Sequence, residues 1–293
     1  MGSCYREGAT VKNVLIVLNP ARPAAISFGR ELVAKFIESG FGVKCNHEDI
    51  LEGTQPIADI ATLEAVIVLG GDGTILRAAE IVRGHQVPII GINLGNVGFL
   101  AEITEPTINE IVSAVAGEKI HREPRLVIKY EVLRNGREIA SGWALNEVTV
   151  ERSDSQMLEL FVQIDQRPLS KWGCDGVICA TPTGSTAYAF SAGGPVVWPD
   201  VDAFLLLPLA AHALFSRPMV VSPNCEIVID VFSQAAQISA DGLRQVSLEV
   251  GDRVRLTRDS HAIQLAYVNH GNFTDRLVAK FKLPVEGWRG DNN

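Results

Sequence analysis

The sequence lacks the patterns that mark several classes of protein. Its five cysteines among 293 residues are irregularly spaced and form no CxxC pair, which disfavours a disulfide scaffold and fits a reducing compartment. Its six histidines are scattered without an HExxH motif, and no GxSxG motif occurs. We therefore expect neither a zinc enzyme nor a Ser-His-Asp hydrolase.

Basic clusters and long apolar runs are also missing. The net charge is −8 and the isoelectric point about 5.3, so a nucleic-acid partner is not expected. The longest apolar run, residues 203–215, is too short to span a bilayer and contains Pro208 and His212. Residues 1–10 contain no apolar signal core. We expect a soluble cytoplasmic protein without a membrane partner.

Two familiar nucleotide-binding fingerprints are absent as well. No GxxxxGK[ST] segment occurs, and Gly91, Gly95 and Gly98 do not have the spacing of GxGxxG. The sequence therefore supports neither a P-loop enzyme nor a hydride-transferring dinucleotide enzyme.

The chain nevertheless has the composition and the alternating pattern of an α/β protein. Hydrophobic residues make up 47% and charged residues 20%, and 293 residues favour two domains over one. Apolar runs at 14–18, 65–69 and 87–92 alternate with helical patterns at 32–37, 74–83 and 108–115. Strands without polar alternation indicate a parallel sheet covered on both faces. We expect an α/β domain with a parallel sheet over residues 11–125.

The pattern changes to short strands after Arg125. Asn135-Gly136 between two strand-like runs is a strong hairpin signal. Further strand-like runs lie at 158–164, 177–180, 226–231, 254–257 and 262–268, and one helix is predicted at 185–192. We expect a β-rich, sandwich-like domain over 126–270. A helix at 274–281, within a C-terminal segment 271–293, is expected to pack back on the first domain.

The most informative segment is the turn Gly70-Gly71-Asp72-Gly73. It follows a buried strand and opens a helix, which places it at the ligand-binding edge of a parallel sheet. Glycines let backbone N–H groups approach phosphate, and the helix N-terminus favours anions. Asp72 has two functional interpretations, a metal ligand between phosphates or a proton acceptor. A helix cap is the alternative without a function in catalysis.

Two further segments carry candidate binding residues. The loop 91–100 contains Asn93 and Phe99, and the Phe99 ring suits either stacking on a base or filling the core. Asn146 and Glu147 are adjacent in a predicted strand, where a bulge would let both reach vicinal hydroxyls. The alternative is an edge strand with one solvated face.

A turn rich in hydroxyl groups follows Asp175 and the strand 177–180. Its sequence Thr-Pro-Thr-Gly-Ser-Thr-Ala-Tyr occupies residues 181–188, and Ser191 follows. So many small donors suit hydrogen bonds to ribose, phosphate or carboxamide groups, whereas Thr183 or Ser185 as a helix cap is the structural alternative.

Taken together in their order, these segments resemble the NAD kinase family. The matching stretches are residues 69–74, 91–100, 146–147 and 175–195. The GGDG turn alone is shared with phosphofructokinases and with diacylglycerol or sphingosine kinases, but TPTGSTAY followed by SAGGP is more specific. Residues 273–277 and 287–290 are similar to the actinobacterial branch.

The resemblance implies an enzyme that phosphorylates the adenosine ribose 2′-hydroxyl of NAD. It implies Mg²⁺ or another divalent cation, ATP or inorganic polyphosphate as donor, and a homodimer or homotetramer. Asp72 would be the base, and Gly70, Gly71 and Gly73 would hold phosphates. The remaining positions implied to contact the dinucleotide are Arg77, Asn93, Phe99, Asn146, Glu147, Asp175, Thr183, Thr186, Ala187, Tyr188, Ser191 and Ala210.

Within this resemblance, Phe99 would lie by adenine, Asn146 and Glu147 at the ribose hydroxyls, and Asp175 by the nicotinamide amide. Two departures affect the later contacts. Ala211-His212 stands where many members have Pro-His, and Leu243 follows Asp241-Gly242 where many have glutamine. The rival functions are a lipid or sugar-phosphate kinase of the same superfamily and a non-catalytic NAD(H) sensor.

Overall fold

The computed structural model describes residues 11–47, 49–95, 98–102, 105–233, 235–269 and 271–284. The chain forms two compact units: unit 1 comprises the described parts of 1–123 and 264–293, and unit 2 comprises those of 124–263. The stretch 287–290, which contributed to the resemblance, lies outside the described residues. Within those ranges, no helix has both the length and the apolar character needed to cross a membrane.

Unit 1 is built on a seven-stranded sheet, here sheet A. Numbered along the chain, its strands are β1 (Asn13–Leu18), β2 (Gly42–Cys45), β3 (Gln55–Pro56), β4 (Leu63–Leu69), β5 (Ile89–Ile92), β6 (His121–Arg125) and β19 (Ile263–Tyr267). Their order is β3-β2-β1-β4-β5-β19-β6. The pairs from β3 through to β19 are parallel.

Both faces of sheet A are buried, as the unbroken apolar strands predict. On one face Val14, Ile67 and Ile90 pack with helices α1 (Pro23–Glu38) and α3 (Ile108–Ala116). On the other face Leu15 and Val66 are also fully buried. Helix α2 (Asp72–Ile81) contacts β1, β4 and β5. The predicted parallel α/β architecture is therefore confirmed.

The strand at the end of the second strand-rich region is the main correction. The sequence placed residues 262–268 in the β-rich part, but β19 pairs in parallel with β5 through Leu265 and Ala266. Hydrophobic pattern shows that a run is buried, but it does not show which sheet the run joins. β19 thereby becomes the second neighbour of β5 in sheet A, on the side opposite β4.

Unit 2 contains two six-stranded antiparallel sheets, which confirms the β-rich prediction. Sheet B consists of β7 (Ile128–Arg134), β8 (Arg137–Ala144), β10 (Leu158–Ile164), β11 (Arg167–Cys174), β15 (Ile227–Val231) and β18 (Arg253–Arg258). Sheet C consists of β9 (Glu147–Arg152), β12 (Gly176–Ala180), β13 (Phe204–Leu209), β14 (Met219–Val221), β16 (Ala236–Ala240) and β17 (Arg244–Leu248). Their apolar faces share one core that contains Leu160, Trp172 and Phe204.

The structure confirms the predicted turn between β7 and β8 but differs from the prediction at residues 185–192. Asn135 (φ 52°) and Gly136 (φ 75°) form the predicted tight turn between β7 and β8, since both central residues of a type I′ turn need positive φ. The helix predicted at 185–192 is wrong: a 3-10 turn, Thr183–Thr186, precedes the short helix α4, Tyr188–Ser191. Ala187, at φ −102° and ψ −126°, breaks the helical path.

The C-terminal helix α5 (Phe273–Phe281) belongs to unit 1 and is attached through a buried arginine. The Arg276 guanidinium lies 3.9 Å from the centre of the Tyr267 ring, and its Nη1 donates to the Tyr267 hydroxyl at 2.9 Å. Burial raises the pKa of Glu102, while the N–H groups of Val268 and Asn269 and the charge of Arg276 limit the rise. Arg276 is therefore the buried counter-charge of this region.

Replacing Arg276 with leucine should destabilise the protein by about 3 kcal/mol, because Glu102 would keep its buried charge without the nearby cation. The free energy of unfolding in urea measures this loss. Arg30→Leu, on the exposed face of α1, is the matched control and should change stability by less than about 0.5 kcal/mol. Equal effects of both substitutions would contradict the assigned role of Arg276.

Candidate functional site

In unit 1 the glycine-rich turn joins the carboxyl end of β4 to the first turn of α2. Gly71 is the N-cap of α2 and Asp72 is its first residue. Parallel strands place such a turn at the edge of the sheet where ligands bind, and the helix supplies unpaired N–H groups there. The turn therefore has the polarity required to bind an anion.

The glycines of this turn do not serve the same purpose. A Cβ at Gly70 would lie 2.4 Å from the Thr74 hydroxyl oxygen, so packing inside the protein requires glycine there. Among the described residues, nothing lies within 4 Å of a Cβ at Gly71 or at Gly73. Neither has a positive φ. Internal packing and backbone geometry therefore leave both positions open to a side chain.

The Asp72 carboxylate is held by the loop that follows β5. Its two oxygens accept the backbone N–H groups of Phe99 at 3.1 Å and Leu100 at 3.2 Å. A Cβ at Gly98 would lie 2.2 Å from Asp72 Oδ1, so this glycine makes room for the carboxylate. The hydrogen bonds recorded for Asp72 go to this loop and not to α2, which is not the geometry of a helix cap.

Phe99 lies in an aromatic cluster of unit 1. Its ring centre is 6.2 Å from that of Phe273 and 5.7 Å from that of Phe281, and the residue is 7% exposed. Of the two roles weighed from the sequence, this arrangement is the one that fills the core. It also joins the loop that holds Asp72 to helix α5.

Arg77 and Asn93 occupy the same edge of sheet A but differ in their surroundings. Arg77 Nη2 donates to the carbonyl of Leu18, at the end of β1, and to the buried carboxylate of Asp49 at 2.9 Å. Asn93 directly follows β5 and is partly buried. The Arg77 guanidinium thus links α2 to the end of β1 and to Asp49.

In unit 2, Asn146 and Glu147 lie where the chain passes from sheet B to sheet C. Strand β8 ends at Ala144 and β9 begins at Glu147, so the pair stands at a break between strands, not at a bulge within one. The edge-strand alternative is also wrong, because β9 lies between β12 and β16. Such a break leaves backbone groups that need partners outside the sheet ladder.

The turn at residues 181–188, here called the hydroxyl-rich elbow, supplies some of those partners. Thr181 donates its hydroxyl to the Leu145 carbonyl, and its N–H donates to the Asn146 carbonyl at 2.8 Å. A Cβ at Gly184 would lie 2.1 Å from that same Asn146 oxygen, so the elbow packs directly on this backbone. No pattern in the sequence distinguishes Thr181 from the other hydroxyl residues of this turn.

The predicted binding residues of the elbow separate into buried and exposed groups. Thr183 is buried, and the Thr186 hydroxyl donates to its carbonyl at 3.2 Å. Ser185 is not a cap: its hydroxyl exchanges hydrogen bonds with the backbone of Val197. The remaining predicted contacts, Ala187, Tyr188 and Ser191, are partly or fully exposed.

A cavity of about 320 Å³ lies over the polar face of sheet C. Its lining includes Glu147 and Tyr188, both predicted, and Glu151, Ser239 and Asp241, which the sequence analysis missed. The missed signal is a period of two: residues 147, 149 and 151 are all polar and share one face of β9.

Glu147 is the most strongly perturbed acid of this cavity. Burial raises its pKa to about 7, the negative charges of Asp241 and Glu151 add to the rise, and the N–H of Tyr188 opposes it. Glu147 is 8% exposed, and its Oε2 accepts no hydrogen bond from the described residues. This buried oxygen therefore has no hydrogen-bond donor within the described part of the protein.

Asp175 and Ala210 are brought together at the other end of β12. The Asp175 N–H donates to the Leu209 carbonyl at 2.9 Å, and the Asp175 carboxylate pairs with Arg152 at 2.9 Å. Ala210 is exposed and has a φ of 45°. Arg152 also lines the cavity, so Asp175 contacts the cavity lining through it.

A glycine-rich turn that opens a helix at the edge of a parallel sheet is a feature of nucleotide-binding phosphotransferases. Unit 2 adds a cavity lined by polar side chains. Two family models match the chain: the ATP-NAD kinase N-terminal domain over residues 43–120 and the ATP-NAD kinase C-terminal domain over residues 145–268. The chain belongs to the NAD kinase family.

Similar proteins agree with this assignment. An NAD kinase of Thermobifida fusca is 44% identical over 96% of this chain and 92% of its own length. An NAD kinase 2 of Streptomyces avermitilis is 44% identical over 95% of this chain and 97% of its own. These relatives are actinobacterial, as the resemblance implied.

Solved structures show the same fold. Yeast NADH kinase complexed with NADH has a TM-score of 0.83 at 25% identity and covers 94% of this chain and 88% of its own. An NAD kinase from Archaeoglobus fulgidus in complex with ATP has a TM-score of 0.70 at 27% identity and covers 92% and 98%.

The raised pKa of Glu147 predicts a pH-dependent contribution to stability. Because the folded pKa of about 7 exceeds the unfolded value of 4.5, this contribution is present below pH 4.5 and lost as pH rises through 7. Relative to Glu147→Gln, the wild type should lose about 2 kcal/mol of unfolding free energy between pH 5 and 8. Urea titrations across this range measure the difference.

Asp252→Asn is the control for this pH effect. A hydrogen bond from Arg134 lowers the pKa of Asp252, so this carboxyl stays ionised from pH 5 to 8. Its difference from the wild type should therefore be constant across the range. Parallel pH curves for Glu147→Gln and the wild type would show that Glu147 does not titrate differently on folding.

Proposed function

We propose that this protein is an NAD kinase that transfers a phosphoryl group from ATP to the adenosine ribose 2′-hydroxyl of NAD. The observation that carries the proposal is the turn of unit 1, where a fixed carboxylate stands between glycines that the protein does not need for its own packing. Family membership supports the identity of both substrates.

The donor phosphates bind at Gly71 and Gly73 in this proposal. Without a Cβ, the backbone N–H groups can approach phosphate oxygens directly, and the N-terminus of α2 adds a favourable dipole. Mg²⁺ neutralises phosphate charge when it is bound. Among the described residues no group of three acidic, histidine or cysteine side chains could hold a metal, so the cation would rely on phosphate oxygens and water.

Asp72 orients the 2′-hydroxyl and accepts its proton. The two N–H donors from the 98–100 loop fix the carboxylate, and each oxygen keeps a further lone pair for the hydroxyl. In unit 2, Asn146 and Glu147 bind sugar hydroxyls, since the unpaired Glu147 Oε2 requires a donor. Asp175, Thr183, Thr186, Ala187, Tyr188, Ser191 and Ala210 form the rest of the dinucleotide site, and Phe99 supports the loop that holds Asp72.

The protein acts as a cytoplasmic homodimer or homotetramer in this proposal. Leu214 and Phe215 are exposed just before β14, and Val220 is exposed within it. β14 pairs with β13 and ends the order of sheet C. An edge strand beside exposed apolar side chains favours association with a second copy.

A donor and acceptor panel distinguishes this function from its rivals. Purified protein with Mg²⁺ should form NADP from NAD and ATP, and inorganic polyphosphate is tested as the second donor. Phosphate appearing on diacylglycerol or fructose 6-phosphate instead would favour the superfamily rival. Tight NAD binding with no NADP from either donor would favour the sensor.

Asp72→Asn should lower kcat by about 10² to 10⁴-fold and leave the Kd for NAD nearly unchanged, because the amide keeps the size but cannot accept the proton. A coupled NADP assay and calorimetry measure the two quantities. Asp59→Asn is the matched control, since Asp59 caps a 3-10 turn of the same unit through the Ala61 N–H. An unchanged kcat in Asp72→Asn refutes the base assignment.

Gly73→Ala should raise the KM for ATP about tenfold or more, because the added methyl group occupies the space assigned to phosphate. Its unfolding free energy should not fall, since alanine is about 1 kcal/mol better than glycine within a helix. Gly70→Ala is the contrasting variant and should destabilise the protein, because its Cβ meets Thr74 at 2.4 Å. An unchanged KM for ATP in Gly73→Ala would place the phosphates elsewhere.

A further inference from the structure

Asp241 holds the backbone on which the proposed ribose-binding pair stands. Its side chain is 1% exposed. Its carboxylate accepts three consecutive N–H groups, from Leu145 at 2.9 Å, Asn146 at 2.7 Å and Glu147 at 3.3 Å. Leu145 and Asn146 lie between β8 and β9, and Glu147 is the first residue of β9. One side chain thereby satisfies the break.

The backbone of the Asp241 turn is fixed in the same way. Asp241 (φ 52°) and Gly242 (φ 67°) are both left-handed between β16 and β17, a conformation that is costly for a residue other than glycine. The Asp241 N–H donates to the Glu147 carbonyl at 3.0 Å. The main chain and the side chain of Asp241 therefore both bind the backbone of residues 145–147. These bonds stabilise the left-handed conformation.

Arg244 completes the arrangement by balancing the charge. Its Nη2 lies 2.9 Å from Asp241 Oδ2, and its guanidinium stacks 4.4 Å from the centre of the Trp143 ring on β8. Among the described residues, the Asp241 carboxylate thus has four hydrogen-bond donors: three backbone N–H groups and the Arg244 guanidinium. Asp241 lines the cavity but is not an open acceptor for a ligand.

A role limited to stability does not account for the position of this carboxylate. Asp241 and Glu147 line one cavity, and burying two acids near each other costs free energy through desolvation and repulsion. Such costly pairs of acids are typical of functional sites, where a defined position matters more than stability.

We propose that Asp241 is a positioning residue that sets Asn146 and Glu147 at the distance required by the sugar hydroxyls of NAD. The inference rests on the proposed NAD kinase function. It assigns to the late Asp-Gly turn a part in substrate affinity, acting through the backbone of residues 145–147. Thr181 holds the carbonyls of the same segment from the other side.

The test is a comparison of Asp241→Asn with Asp252→Asn in the full chain. Asp252 is the matched control: it is 1% exposed, pairs with Arg134, accepts the turn N–H of Glu249 and does not line the cavity. Asp241→Asn should raise the KM for NAD about tenfold and change kcat less than about threefold. Asp252→Asn should leave both constants within about twofold of the wild type.

A double-mutant cycle identifies the route of the effect. If Asp241 acts through Asn146 and Glu147, adding Asp241→Asn to the variant Asn146→Ala/Glu147→Gln should weaken NAD binding no more than about twofold further. Multiplied losses on adding Asp241→Asn would overturn the positioning role. Hydrogen exchange gives a direct readout: the amides of residues 145–147 should lose protection in Asp241→Asn and keep it in Asp252→Asn.

The two proposals fail in different ways. A wild type that forms no NADP from NAD and ATP refutes the proposed function. A wild type that forms NADP, with an Asp241→Asn variant that matches Asp252→Asn, refutes the positioning role alone. Should Asp241→Asn not fold, Asp241→Glu keeps the charge but shifts the carboxylate by one methylene away from the amides of Leu145, Asn146 and Glu147. It should raise the KM for NAD about threefold, and an unchanged KM counts against the inference.

Discussion

Loops in this protein depend on one interaction, a carboxylate that accepts backbone N–H groups. Asp72 binds two amides of the loop after β5, Asp241 binds three between β8 and β9, and Glu102 binds Val268 and Asn269. Loop amides have no sheet or helix partner of their own, and a charged acceptor forms stronger hydrogen bonds than a neutral one. The functional segments are thus fixed without regular secondary structure.

This solution leaves negative charge at the turn and the cavity that are proposed to bind the phosphorylated substrates. The protein offsets that charge locally: Arg276 lies near Glu102, Arg244 pairs with Asp241, and the N-terminus of α2 lies at Asp72. The cost that remains appears at Glu147, whose pKa rises to about 7 through burial and the neighbouring acids. An unpaired oxygen of that residue is consistent with a site completed by its ligand.

Much of the fold followed from local rules. The apolar strands predicted the covered parallel sheet A. Asn135-Gly136 predicted the β7–β8 hairpin of sheet B, and the glycine turn lies at a strand end as expected. The failures share a cause. The pairing of β19 with β5 and the packing of Gly184 against the Asn146 backbone involve residues distant in sequence, which hydrophobic periodicity does not report.

The sequence by itself determined the chemistry available: Asp72 among glycines, the Asn146-Glu147 pair and the hydroxyl-rich elbow. Only the tertiary structure decided which of these groups have hydrogen-bond partners within the protein. It bound Asp72 to a loop 27 residues away, engaged Ser185 with Val197, and left Glu147 Oε2 unpaired among the described residues. The physical reason is that residue type fixes what a side chain can donate or accept, whereas folding chooses its partner.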